Sequence, residues 1–226
     1  MPVLLFDIDG TLLQSNGVGR RCIEGALERV VGGTLDTSGV SFSGKTDPQI
    51  FRQILTAARE AGLDVADLND AHGRFGDVYR GLMRECLPEA DVEALPGAVG
   101  LVRRLAADGV PMGLLTGNLR ELAYAKIGRI GLGEAEFPFG AFGSDAEDRN
   151  ALPAIAVRRA SRALGREVDP ADVVVIGDTP LDIACARAGG CVAVAVATGR
   201  YGADELGGAD VVLDSLEAFS LEALAA

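Results

Sequence analysis

The chain has 226 residues, 48% of them hydrophobic, and 33 acidic against 21 basic groups leave a net charge of −12. That length suits one ordinary domain or one carrying an inserted module, and that charge repels nucleic acid and anionic lipid, so neither is an expected partner. No apolar run reaches the roughly 18 residues of a membrane helix, and no basic stretch precedes the N-terminal apolar run, so a cytoplasmic chain without a signal peptide is expected.

In chain order, "VLLFD" (3–7) reads as a short buried strand. It ends in Asp7, with Asp9 one residue on and then Gly10 and Thr11. Residues 15–92 break the strand pattern. "GRRCIEGALERVV", "TDPQIFRQILTAAREAG" and "VADLNDAHGRFGDVYRGLMREC" have the apolar spacing of amphipathic helices, with Asp47 expected as an N-cap before Pro48. From "LPGAVGLVRRL" onward, strands and helices alternate. "PMGLLT" (111–116), "FGAFGS" (139–144), "VVVIGD" (173–178) and "CVAVAVAT" (191–198) are near-continuous apolar runs, as in a parallel sheet covered on both faces. Helical patterns lie near 98–108, 119–130, 151–164 and 181–188, and a terminal pair, "DVVLD" then "LEAFSLEALA", follows. The expected fold is α/β: a doubly wound parallel-sheet, Rossmann-like core formed by residues 1–14 and 93–226, with an inserted all-helical domain at 15–92.

Scattered cysteines at 22, 86, 185 and 191 lack metal-site spacing and read as reduced core thiols. His72 is the single histidine, which makes a serine–histidine triad a poor candidate. The residues that carry chemistry fall at strand ends, the edge of an open α/β sheet where ligands bind. Asp7 and Asp9 repel one another unless a hard cation or a division of labour compensates. They do not form an EF-hand loop, because Leu12 and Val18 stand where glycine and glutamate are needed. "LLTGN" closes a strand with Thr116 and opens a helix. Gly117 and the free N–H groups there suit an anion, and Asn118 with Glu121 has capping spacing. In "GDTPLD", Thr179, Pro180 and Asp182 read as N-cap, N1 and N3, which leaves Asp178 unexplained except as a third metal-directed carboxylate.

"DIDGT", "LLTGN" and "GDTPLD", in this order, resemble the motifs of the haloacid dehalogenase-like hydrolase superfamily, and the helical insertion is similar to the small cap of its phosphoglycolate phosphatase-like members. The resemblance implies a magnesium-dependent phosphatase acting on a small phosphorylated metabolite. Asp7 would be the nucleophile that becomes an aspartyl-phosphate. Asp9 would be the acid–base, Thr116 a phosphoryl ligand, and Asp7, the Asp9 carbonyl and Asp178 the Mg2+ ligands, with Asp182 in support. The family's usual lysine before the third helix is absent from "SDAEDRNALPAIAVRRA", and Arg149 is the expected substitute. Lys45, in the loop "FSGKTDPQIF", is expected to meet the substrate with Gly117 and Asn118, and Arg20 or Arg21 could face the same cleft. Other readings on this fold are a haloacid dehalogenase, which needs neither Asp9 nor Asp178, a phosphosugar mutase, and a non-catalytic binding protein. A monomer or weak dimer is expected.

Overall fold

A computed structural model describes residues 1–222. The central sheet is built from β1 (Val3–Phe6), β4 (Met112–Thr116), β5 (Phe139–Phe142), β6 (Val173–Gly177), β7 (Val192–Val196) and β8 (Val211–Leu213). Its order is β5-β4-β1-β6-β7-β8, with every pairing parallel. Successive residues of a strand point to opposite faces, and the core follows that rule. Leu4 and Phe6 of β1 face α4 (Ala98–Ala107) and α5 (Arg120–Gly128), in a layer with Leu101, Leu105, Ala123 and Ile127. Val3 and Leu5 face α6 (Leu152–Leu164) and α7 (Pro180–Ala188), in a layer with Leu152, Ala156, Ala160 and Cys185. Both faces are covered, which is why the strands are apolar without alternation.

Between β1 and α4 the chain leaves the sheet. Helices α1 (Val18–Val31), α2 (Asp47–Glu60) and α3 (Leu68–Cys86) pack around a separate apolar cluster containing Ile23, Phe51, Ile54, Phe75 and Tyr79. Two short strands, β2 (Leu13–Gln14) and β3 (Glu93–Ala94), pair antiparallel where the chain enters and leaves this helical segment. Two-residue strands carry no readable alternation, so the sequence gives no sign of them.

Several local expectations need correction. Thr46, not Asp47, caps α2, accepting from the Gln49 N–H at 3.2 Å. Asn118 does not cap α5. That helix begins after Leu119 without a side-chain cap, and the Asn118 side chain is drawn instead into the polar cluster described below. Cys86 is exposed, whereas the other three cysteines are buried. Of the expected terminal segment "LEAFSLEALA", Leu216–Ala218 form a 3-10 turn, and residues 223–226 lie outside the described part. Thr179, Pro180 and Asp182 start α7 as read, with a reciprocal capping box.

The helical segment docks on the turn after β4. The Asp47 N–H donates to the Gly117 carbonyl at 2.8 Å, and the Leu119 N–H donates to Asp47 Oδ2 at 2.9 Å. A Cβ at Gly117 would lie 2.0 Å from the Lys45 carbonyl oxygen, so only glycine permits this approach.

Candidate active site

The chain order makes β1 the centre of the sheet, with later strands added first on its β4 side and then on its β6 side. A crevice opens at such a switch point, beyond the carboxyl ends of the strands. Asp7 follows β1, Thr116 ends β4 and Asp178 follows β6. They line a cavity of about 490 Å³ between sheet and helical segment, within the range of small-ligand sites. Asp9, Gly117, Asn118, Lys45, Arg20 and Arg149 line it too.

On one side stand three buried carboxylates. Asp7, Asp178 and Asp182 each present an oxygen within 4.8 Å of the others. Asp178 is brought in by two close approaches that only glycine allows, at Gly10 (φ +85°) and Gly199. Burial, together with the negative charges of Asp182 and Asp7, pushes the Asp178 carboxyl up to about 8. The Thr11 hydroxyl donates to it at a long 3.4 Å. Burial also raises Asp7, to about 6, although the charge of Arg149 and a hydrogen bond from Thr116 oppose that shift. Asp182 is committed elsewhere. One oxygen takes the Thr179 N–H at 3.0 Å and the other meets the Arg149 guanidinium.

Arg149 sits just before α6, buried, and its Nη2 lies 3.2 Å from Asp7 Oδ2. It comes from the lysine-free segment and lines the cavity. The Asp148 side chain caps the 3-10 turn that aims it, accepting from the Asn150 N–H. Its Nε is buried without a hydrogen-bond partner among the described residues.

One guanidinium among three buried carboxylates leaves an excess of negative charge in a low-dielectric place. Isolated buried charges are costly, and hard oxygen donors of this kind suit Mg2+. Asp7 and Asp178 therefore fit such an ion, while Asp182 is held by Arg149 and its capping box.

Asp9 stands apart from this acidic group. Its Oδ1 accepts from the Ser15 hydroxyl at 2.9 Å, and its Oδ2 accepts from Asn118 Nδ2 at 2.9 Å and Lys126 Nζ at 2.6 Å. Burial alone would raise the Asp9 carboxyl, but the charge of Lys126 and these hydrogen bonds outweigh it and hold the group below its usual value.

Lys126 is the site residue that sequence reading missed. A signal was present: it is one of only two lysines, and it shares the buried face of α5 with Leu122, Ala123 and Ile127. Lys45 lines the cavity, with its Nζ donating to Gln53 Oε1 at 2.8 Å. Arg20 reaches the cavity wall, but its guanidinium is spent on Thr37 and the Val40 carbonyl. Arg21 instead donates to the Asn16 carbonyl. His72 is packed in the helical segment, its Nε2 2.9 Å from the Pro48 carbonyl.

Asp47 belongs to the same wall, and burial pushes its carboxyl up from 3.8 to about 6. The folded chain therefore holds this proton more tightly than the unfolded chain, and stability falls as pH rises from about 4 through about 6. Asp47→Asn keeps an acceptor for the Leu119 N–H and removes the charge. Thermal melts of the variant are expected to show a higher Tm at neutral pH and a smaller decline over that window. A lower Tm at neutral pH would contradict this account.

A family model for haloacid dehalogenase-like hydrolases matches residues 4–187. The chain belongs to that family, and it is a hydrolase of its phosphatase kind. It is 30% identical over 191 residues to a phosphoglycolate phosphatase of Cereibacter sphaeroides, covering 84% of this chain and 82% of that protein. It is 28% identical over 204 residues to a phosphoglycolate phosphatase of Neisseria meningitidis, covering 89% and 82%. Among solved structures, a predicted phosphoglycolate phosphatase from Haemophilus somnus superposes with a TM-score of 0.74 at 19% identity, over 96% of this chain and 95% of that one. CbbY from Rhodobacter sphaeroides, solved with phosphate, superposes with a TM-score of 0.69 at 24% identity over the full length of both. At these identities the structural likenesses concern the fold alone.

Proposed function

We propose that this chain is a magnesium-dependent phosphatase that hydrolyses a small phosphomonoester of the phosphoglycolate type through an aspartyl-phosphate on Asp7. The observation that carries this reading is the convergence of Asp7, Thr116, Arg149 and Asp178 from separate segments on one cavity. The names of the sequence relatives supply the substrate type. Phosphoryl transfer demands positioning and charge neutralisation above all, and the donors here meet both demands.

In the first step an Asp7 oxygen bonds to phosphorus as the ester P–O bond breaks, and Asp9 gives a proton to the leaving oxygen. In the second, Asp9 takes a proton from water, the water oxygen bonds to phosphorus, and the Asp7–phosphorus bond breaks to release phosphate. Thr116 and Arg149 hold the phosphoryl oxygens. The unpartnered Nε–H of Arg149 supports that role, because a buried donor without an acceptor is costly. Asp7, the Asp9 carbonyl and Asp178 would hold Mg2+, which when bound offsets carboxylate charge beside the anionic substrate. Asp182 keeps Arg149 in place. Residues 15–92 act as a cap over the cavity, with Lys45 at its wall contacting the non-reacting part of the substrate alongside Gly117 and Asn118. Asp9 and Asp178 weigh against a dehalogenase, which uses neither. The site suits a free cytoplasmic metabolite rather than nucleic acid or a membrane surface.

Phosphate release from a panel of small phosphate esters, with Mg2+ and with chelator, tests this reading. Turnover is expected to be highest on 2-phosphoglycolate or another short anionic ester and to vanish with chelator. Absence of turnover on every ester would favour the binding-protein alternative.

A further inference from the structure

Lys126 is buried and reaches the cavity from inside the core, from a helix face otherwise occupied by Leu122, Ala123 and Ile127. An ammonium at such a position is costly to desolvate, and an apolar side chain would pack there at less expense. What it gains is a closed set of contacts around the proposed acid–base. Its Nζ donates to Asp9 Oδ2 at 2.6 Å and to Asn118 Oδ1 at 2.7 Å. Asn118 Nδ2 then donates to Asp9 Oδ2 at 2.9 Å and to Thr116 Oγ1 at 2.8 Å.

The direction of these bonds matters. Lysine only donates, so the amide of Asn118 must present its oxygen to Lys126 and its NH2 to Asp9 and Thr116. Without Lys126 the amide is free to turn over, placing an oxygen against the Asp9 carboxylate and removing a donor from the Thr116 hydroxyl. One buried cation thus sets the orientation of three side chains, Asp9, Asn118 and Thr116, all of which meet the substrate in the proposed reaction. Arg149 cannot take over this task, since it is engaged with Asp7 and Asp182.

We infer that Lys126 is a positioning residue that fixes the Asp9 side chain, directly and through Asn118, so that its carboxyl form can pass its proton to the leaving oxygen. The inference rests on the phosphatase reading above. It predicts a dependence on leaving group that a purely structural lysine would not produce. An alkyl ester needs a proton delivered to its departing oxygen. An activated aryl ester leaves as a stable phenolate and needs none.

The experiment compares kcat/KM, which reports transfer to Asp7, for 2-phosphoglycolate and 2,4-dinitrophenyl phosphate at saturating Mg2+, in wild type, Lys126→Met and Lys126→Gln. General acid catalysis contributes roughly 10²–10⁴-fold, so a loss of about 100-fold is expected on the alkyl ester and less than about 5-fold on the aryl ester. The ratio of the two constants does not depend on the fraction of variant that folds, and two variants guard against one failing to fold. Equal losses on both esters, or no loss on either, with an active wild type, overturn the assignment of Lys126 alone. If wild type cleaves neither ester, the phosphatase reading falls and takes this inference with it.

Discussion

Asp7→Asn is expected to lose phosphate release by about 10⁴-fold or more, because a carboxylate nucleophile becomes a weakly nucleophilic neutral amide and groups acting as a unit fail together. The same variant should be more thermostable than the wild type in metal-free buffer. Burial raises the Asp7 carboxyl to about 6 despite the neighbouring Arg149, so at neutral pH its charge is net unfavourable to the fold. Replacing it with a neutral amide of the same shape relieves like-charge repulsion from Asp182, and each kcal/mol recovered is worth roughly 2–4 °C in a chain of this size. A single preparation, assayed and melted in parallel, tests both halves. Lost activity with a lowered Tm would mean that Asp7 serves the fold rather than the chemistry.

The second large effect concerns Asp178. Wild-type protein should melt higher when Mg2+ is added, by about 5–10 °C at a hundredfold excess over the dissociation constant, since saturating ligand contributes about 2.7 kcal/mol. The shift should grow with pH. Asp178, raised to about 8, and Asp7, raised to about 6, both hold protons more tightly in the folded chain, so metal-free stability declines as pH rises from about 4 to about 8. Over that window the ion has more ionised carboxylate to bind. Asp178→Asn should begin with a higher metal-free Tm, show little further response to Mg2+, and lose at least 100-fold in kcat. A variant that keeps the full Mg2+ shift would remove Asp178 from the ligand set.

Much of this architecture is legible in the chain itself because its determinants are local. Runs such as "VVVIGD" are apolar throughout, which only a strand covered on both sides requires, and their ends coincide with the carboxylates. Arg149, which the resemblance offers in place of the missing lysine, stands beside Asp7, and its segment is legible from the motif order. Lys126 was harder to foresee. Its partners Asp9 and Asn118 lie 117 and 8 residues away, and a lysine in a helix ordinarily reads as solvated charge. The capping expected of Asp47 and Asn118 fails for a related reason. Both have capping chemistry at helix starts, yet tertiary contacts at the junction between the helical segment and the sheet took their side chains. The paired strands β2 and β3 are too short for any pattern to mark them.

That small ribbon has a wider consequence. Because Gln14 and Glu93 are direct partners across it, the excursion of the chain begins and ends at one spot, a few ångströms apart. A helical module whose termini meet at that spacing could replace this one if it also restored the docking of Asp47 on the turn after Thr116. On the proposed reading, Lys45 belongs to the exchangeable stretch, whereas Asp7, Thr116 and Asp178 belong to the stretch that stays.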